Sequence, residues 1–471
     1  MPPHIATVVF AFVILGLFWL DREREAKLSA ALWIPTVWVF LAASRSVAQW
    51  MSLGQPVDLQ NLTEQVMEGS PTDRLVYTGL LVIGLAVLVG RGRRVGRIVR
   101  SNGPILLFFL YCALSLLWSD FPGIAFKRLT KALGDLVMML VVLSEIDSYA
   151  AVKRLLARAG FVLVPISVLF IKYYPEFGKA YGQWDYKAVY TGVTGNKNTL
   201  GVICLFFGLA SVWRLLAAYK EPKGATRKRV LIAHGIVLAM VLWLLWMANS
   251  MTSLMCFLMA SGFLLVTNSA LVRRKPGSVH ILVLALLCIS ASVLFLGAMP
   301  GMLETIGRDP TLTDRTLIWS TILPLVKNPI LGTGVESFWL GPRLAEIWAK
   351  FPWQPFEAHN GYIEIFLNLG WSGIALLAVV IGAGYRTVVA AFRRNSMMHS
   401  VLLSFFVVGL VYNFTEAALF RMMAPAWIFL LLAMVRVPEL PGSKTPALQN
   451  SVPQQNGSEW QETRAEYMPT K

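Results

Sequence analysis

Residues 307–370 read GRDPTLTDRTLIWSTILPLVKNPILGTGVESFWLGPRLAEIWAKFPWQPFEAHNGYIEIFLNLG. This is the longest polar interval in a chain that is otherwise mostly apolar. Connections between elements usually run a few residues, and long ones are either functional or disordered. This interval holds arginines, tryptophans, glycine turns and a histidine, with too many large aromatics for a disordered segment. It closes by re-entering an apolar run at Asn360-Gly361.

What flanks it fixes the fold class. Of 471 residues, 56% are hydrophobic and 14% charged, where a soluble domain carries about a quarter charged. Apolar runs fall at 5–20, 28–43, 74–90, 104–118, 129–145, 159–172, 198–218, 230–248, 253–272, 279–299, 361–385, 400–413 and 421–436. Runs of this length span a bilayer as helices. The last two are separate, because one helix over 400–436 would be about 55 Å long, well beyond one bilayer, and Asn413-Phe414-Thr415-Glu416 interrupts it. The expectation is an all-α polytopic integral membrane protein with twelve or thirteen transmembrane helices over 1–436 and one large extracytoplasmic loop at 300–360. Residues 437–471, rich in Pro, Gln, Ser and Asn, read as a disordered cytoplasmic tail. The first run has no basic region before it, so it reads as a span and not as a cleaved signal peptide. No internal repeat is visible.

The net charge of +16 would suggest nucleic acid in a soluble protein. Here it is explained by basic loops on one side of a membrane, and no nucleic-acid partner is implied. Arg91, Arg93, Arg94, Arg97 and Arg100 form one cluster, and Lys220, Lys223, Arg227, Lys228 and Arg229 another. Lys153, Arg154 and Arg158, then Arg273-Arg274-Lys275, then Arg386, Arg393 and Arg394 follow. Counting runs, all of these fall on one side, which the positive-inside rule makes cytoplasmic. The loops at 44–73, 119–128, 173–197, 249–252, 300–360 and 414–420 then face outward. Cys112, Cys204, Cys256 and Cys288 lie in apolar runs without CxxC spacing, so neither a metal site nor a disulfide framework is indicated. No nucleotide-binding glycine loop stands between a strand and a helix; Gly332-Thr333-Gly334 reads as a turn.

The outward loops hold the motifs. Trp118-Ser119-Asp120 follows a span, Gly195-Asn196-Lys197-Asn198 opens one, and Arg315 stands four residues before Trp319. Gly332-x-Gly334 comes next, then His359-Asn360-Gly361-Tyr362 leading into Leu369-Gly370. In this order, over residues 105–435, the chain resembles the O-antigen ligase and O-antigen polymerase superfamily of bacterial inner-membrane glycosyltransferases, with exopolysaccharide polymerases the closest subtype. The resemblance implies metal-independent, inverting glycosyl transfer from an undecaprenyl-diphosphate-linked oligosaccharide on the periplasmic side, with no cofactor and no metal. It implies polymerisation of repeat units into an exopolysaccharide or O-antigen. The alternatives are a ligase that moves the finished glycan to a lipid or protein and, in another class, a flippase for the lipid-linked oligosaccharide. Membrane lipid, a chain-length regulator and a flippase are the partners it implies. A flippase should carry charge deep in many spans; here the span centres are nearly free of it, Asp135 being the clearest exception, which favours an enzyme.

Residue chemistry agrees with the resemblance. An acceptor hydroxyl must lose a proton, which suits a histidine, and a lipid diphosphate must leave, which suits fixed arginines. His359 is the base candidate: Asn360 is placed to cap the following helix, and the positive end of a helix disfavours an imidazolium. The plain alternative is a histidine that anchors the interface. Arg315 begins a helix with Thr313 as its cap and shares a face with Trp319. This pair reads either as a diphosphate clamp beside a sugar-stacking ring or as a surface ion pair with an interfacial tryptophan. Arg128, Arg308, Arg343 and Lys197 are further phosphate contacts, with solvated or capping cations as the alternative. Ligase-type relatives are expected to carry an arginine in the 173–195 loop; this chain has only lysines there and at Lys197. Glu357 and Glu364 flank His359 and would orient the ring or bind an acceptor hydroxyl. Trp339, Trp348 and Trp353 read as an aromatic belt or a sugar-binding rim, and Glu416 and Arg421 as ionisable residues at span ends.

Overall fold

The structure, a computed structural model, describes residues 1–22, 28–54, 69–181, 187–295 and 312–438. Among the described residues every apolar run is mainly helical. In chain order the helices are α1 (Pro3–Leu20), α2 (Trp33–Ala42), α3 (Val47–Met51), α4 (Pro71–Gly90), α5 (Gly92–Arg100), α6 (Gly103–Leu114), α7 (Pro122–Leu143), α8 (Ser148–Tyr173) and α9 (Pro175–Gly178). Then follow α10 (Lys197–Lys220), α11 (Ala225–Ala248), α12 (Met251–Thr267), α13 (Ala270–Arg274), α14 (Ser278–Phe295), α15 (Leu312–Ile322), α16 (Gly341–Lys350), α17 (Gly361–Arg394), α18 (Ser396–Tyr412) and α19 (Pro425–Met434). Among the described residues the strands are β1 (Lys179–Tyr181) and β2 (Ala188–Tyr190), an antiparallel pair with Ala180 opposite Val189. The fold is an all-α polytopic membrane protein.

The span count narrows. Among the described residues six helices, α1, α4, α8, α10, α11 and α17, are long and apolar enough to cross a membrane on their own, and a seventh is reached if the pair Gly92–Arg100 and Gly103–Leu117, bent by 85°, counts as one. The remaining apolar runs are shorter helices, or carry too much charge, as α7 does with Lys127, Arg128, Lys131 and Asp135. Hydropathy measures apolar length and not helix length, so not every apolar run reaches spanning length as one described helix. The last two runs are indeed separate: α18 ends at Tyr412 and α19 begins at Pro425 with only ten residues. The expected tail lies almost wholly outside the described residues, as do residues 300–311 of the long loop.

Hydrogen bonds between loops sort into the two groups that the charge pattern expects. At one end Arg91 donates to Ser29 at 2.8 Å and pairs with Glu145, Arg214 donates to Asp21 at 2.7 Å, and Asn102 donates to the Arg436 carbonyl at 2.9 Å. At the other end Thr7 meets Tyr174 at 2.7 Å, Arg45 donates to the Phe177 carbonyl, and Arg128 donates to the Glu336 carbonyl at 2.9 Å. The basic loops share one end and the motif-bearing loops the other.

The long stretch from 312 to 360 is ordered because it has a core of its own. Ile318, Ile322, Phe338, Trp339, Leu344, Ile347, Phe351 and Ala358 pack together, with Trp319 and Trp348 against them. Truncating a buried aromatic such as Trp339 costs about 3–5 kcal/mol, so this core holds the loop on the bundle. Trp339 is thus buried inside the loop, Trp348 is half-buried against that core, and Trp353 is 47% exposed.

Candidate active site

The short motifs converge on one junction. Gly332 and Gly334 have φ of +72° and +91°, in the left-handed region that favours glycine. A Cβ on Gly332 would lie 2.5 Å from the Asn368 carbonyl, and one on Gly334 would lie 2.7 Å from Ser119. Gly370, φ +63°, breaks α17 and lets it pass 2.3 Å, measured from an added Cβ, from the Ile330 carbonyl. Ser119 and Ser337 hydroxyls meet at 2.6 Å, and Trp118 donates to the Leu331 carbonyl at 3.3 Å. Asn368 accepts from the amides of Ser337 and Phe338 at 3.0 and 3.1 Å. Thus Trp118-Ser119-Asp120, Gly332-x-Gly334 and Leu369-Gly370 are the joint that seats the long loop on α6, α7 and α17.

His359 is positioned from both sides. The amide of the preceding Ala358 donates to Glu364 at 2.6 Å, and its carbonyl accepts from Trp319 Nε1 at 2.7 Å. Glu364 also accepts from Trp339 Nε1 at 3.0 Å. On the other side Asn360 caps α17, accepting from the amides of Tyr362 and Ile363 at 3.0 Å. Its own amide donates to the Phe414 carbonyl at 3.0 Å, and the Gly361 amide donates to the Asn413 carbonyl at 2.9 Å. A Cβ at Gly361 would meet Asn413 Oδ1 at 2.2 Å, which explains the glycine. His359 itself has φ +50°, rare for a residue with a side chain and a mark of functional sites when the surroundings enforce it.

The ring meets a ring of charge. His359 Nδ1 lies 3.2 Å from Glu357 and 3.5 Å from Glu416. These are close approaches without hydrogen-bond alignment, since Nδ1 makes no hydrogen bond among the described residues. Glu416 is met by Arg315 at 3.6 Å, and Glu357 by Arg421. Arg421 also lies within electrostatic reach of Arg128 and Glu336. Arg128 is 3.6 Å from the Glu336 carboxylate, and Arg343 is 2.5 Å from Asp120 while donating to the Phe338 carbonyl at 3.0 Å. Glu357, His359 and Glu416 offer ligand atoms within 4.8 Å of one another, a grouping that a divalent cation could use. Both carboxylates, however, already carry the countercharge of a guanidinium.

Sequence and structure agree unevenly here. Arg315 and Trp319 do share a face; Trp319 reaches the Ala358 carbonyl, and Arg315 reaches Glu416. The helix starts at Leu312, so Thr313 lies inside it and is not its cap. Trp319, read as a sugar-stacking ring, donates to the Ala358 carbonyl, and Glu364, read as orienting the ring or binding an acceptor hydroxyl, accepts from the Ala358 amide and from Trp339. Lys197 is exposed at the start of α10, behind the cap made by Asn196 to the Thr199 amide at 2.8 Å, and the structure records no contact between it and His359. Arg308 lies outside the described residues. Glu336 went unread because a glutamate in a turn carries no signal of its own. Only its φ of +54° and its place between Arg128 and Arg421 single it out.

The fold and site define a multi-pass helical membrane protein with a histidine–arginine–carboxylate cluster at the end of the bundle opposite its basic loops. Residues 194–378 match the O-antigen ligase family model, a span that takes in Lys197, Arg315, Arg343, His359 and Glu364 and stops short of Glu416 and Arg421. A curated relative, the exopolysaccharide production protein ExoQ of Rhizobium meliloti (strain 1021), is 26% identical over 290 residues, 59% of this chain and 63% of the relative. The chain thus matches less than two thirds of that relative's length. Together the two matches support an O-antigen ligase-like family, in agreement with the motif order.

Proposed function

We propose that the chain joins lipid-diphosphate-linked oligosaccharide repeat units into an exopolysaccharide or O-antigen chain, as a metal-independent inverting glycosyltransferase on the periplasmic side of a bacterial inner membrane. The observation that carries this reading is His359, held in a left-handed backbone with Nδ1 against two carboxylates that arginines hold in turn. That arrangement leaves Nε2 for substrate. Nε2 takes the proton of the acceptor hydroxyl as its oxygen attacks the anomeric carbon of the donor. The bond from that carbon to the diphosphate oxygen breaks, and the lipid diphosphate leaves with the electron pair. Arg315, Arg421, Arg128 and Arg343 supply fixed positive charge where that negative charge develops. Glu357 and Glu416 keep the ring oriented and stabilise the imidazolium formed. The guanidiniums at both carboxylates favour this metal-free reading.

The basic loops of the opposite end support a cytoplasmic placement for that end. Reporter fusions at Gly224 and at Gln354 are expected to fall on opposite sides; fusions on the same side would overturn the placement of the site.

The family description also fits a ligase that transfers the finished glycan. Lipid profiling of a strain lacking the protein separates the readings. Loss of a polymerase leaves single repeat units on the carrier lipid on the outer side. Loss of a ligase leaves long chains there, and loss of a flippase leaves units facing the cytoplasm. Single outward-facing units are the expected result, and long lipid-linked chains would replace the polymerase reading.

A further inference from the structure

Asp135 is fully buried in α7, thirteen residues past Pro122 and so about 20 Å along the helix. Its two oxygens are divided. Oδ1 accepts from Trp38 Nε1 on α2 at 2.8 Å, and Oδ2 accepts from the Met423 amide at 3.1 Å. Met423 belongs to the 413–424 segment between α18 and α19. That segment turns back into the bundle: Phe420 stacks on Phe108 of α6 with centroids 3.6 Å apart, and Ala417 to Phe420 are buried.

Irregular backbone at such depth persists only where protein satisfies its polar groups. Asn413 Oδ1 accepts from the amides of Ala418 and Leu419 at 2.8 and 2.9 Å, which closes the top of the segment. At its bottom the acceptor for the Met423 amide is Asp135. Met423 has φ +57° and Phe420 φ +54°, so this turn is held in a conformation that side chains disfavour. The same segment presents Glu416, 3.5 Å from His359 Nδ1, and Arg421, which pairs with Glu357.

We propose that Asp135 is a positioning residue: through the Met423 amide it fixes the floor of the 413–424 segment and so places Glu416 and Arg421 against His359. This rests on the glycosyl-transfer reading above. The bland alternative is an acid that only ties α2 to α7 through Trp38. The two oxygens let an experiment separate these roles. Asp135→Ala removes the acceptors of both Trp38 Nε1 and the Met423 amide. In Trp38→Phe only the helix–helix bond is removed.

The test uses full-length protein in bilayer discs, with a lipid-diphosphate-linked repeat unit as substrate and amide hydrogen exchange as a second readout. Asp135→Ala is expected to lower kcat about ten-fold or more, with exchange over 413–424 faster than in Trp38→Phe. Trp38→Phe is expected to keep kcat and exchange near wild type. Wild-type kcat in Asp135→Ala, or a lost kcat with unchanged exchange over 413–424, would overturn the proposal. Equal losses in both variants with a lowered melting temperature would do so too, by making the role structural. If the wild type itself forms no polymer, the functional reading fails, and the exchange data still decide whether Asp135 holds the segment.

Discussion

His359→Ala is expected to lower turnover by about 10²–10⁴, the usual contribution of a positioned general base. Two effects are mixed in that variant, because His359 also adopts φ +50°. Asparagine tolerates left-handed backbone better than other residues with a side chain and cannot act as the base, so His359→Asn should show the same loss. The protein should still fold, since the side chain is 32% exposed and Ala358 and Asn360 hold the backbone independently. Initial rates on purified protein with a lipid-linked donor check this. Wild-type rates in both variants would move the base elsewhere, with Glu357 next in line by its position.

Arg315→Lys is expected to raise the donor KM and lower kcat, together by about ten-fold or more in kcat/KM, while the protein reaches the membrane in normal amounts. Lysine keeps the charge but loses the planar fork that binds phosphate oxygens in pairs. The structure adds a second reason. Arg315 sits 3.6 Å from Glu416, whose side chain is only 10% exposed and whose other oxygen faces His359. A flexible ammonium at this place holds neither the carboxylate nor the leaving diphosphate in one geometry. Full activity in the lysine variant would remove the forked contact and leave a simple charge.

The fold class was legible because apolar runs and basic loops are properties of the bilayer as a solvent, and both read directly from residue order. The span count was not, because α19 begins inside the bundle after a turned-back segment, and hydropathy does not see where a helix starts in depth. The placement of His359 just before a capped helix and of Arg315 within a helix was legible. Their partnership was not: it runs through Glu416, fifty-seven positions beyond His359 in the chain, brought there by the bonds from Asn360 to Phe414 and from Gly361 to Asn413. The tryptophans misled for a related reason. Composition alone gives Trp339 and Trp319 to a membrane surface or a sugar, whereas the loop uses them as core, and their indole N–H groups reach Glu364 and the Ala358 carbonyl.

The central claim is that this chain by itself elongates a lipid-linked glycan at the His359 cluster. Wild-type protein in bilayer discs, given only a lipid-diphosphate-linked repeat unit and a chelator, is expected to produce a ladder of multiples of that unit with release of free lipid diphosphate. A donor that stays as single units under those conditions, or a ladder that requires an added divalent cation, would contradict the account.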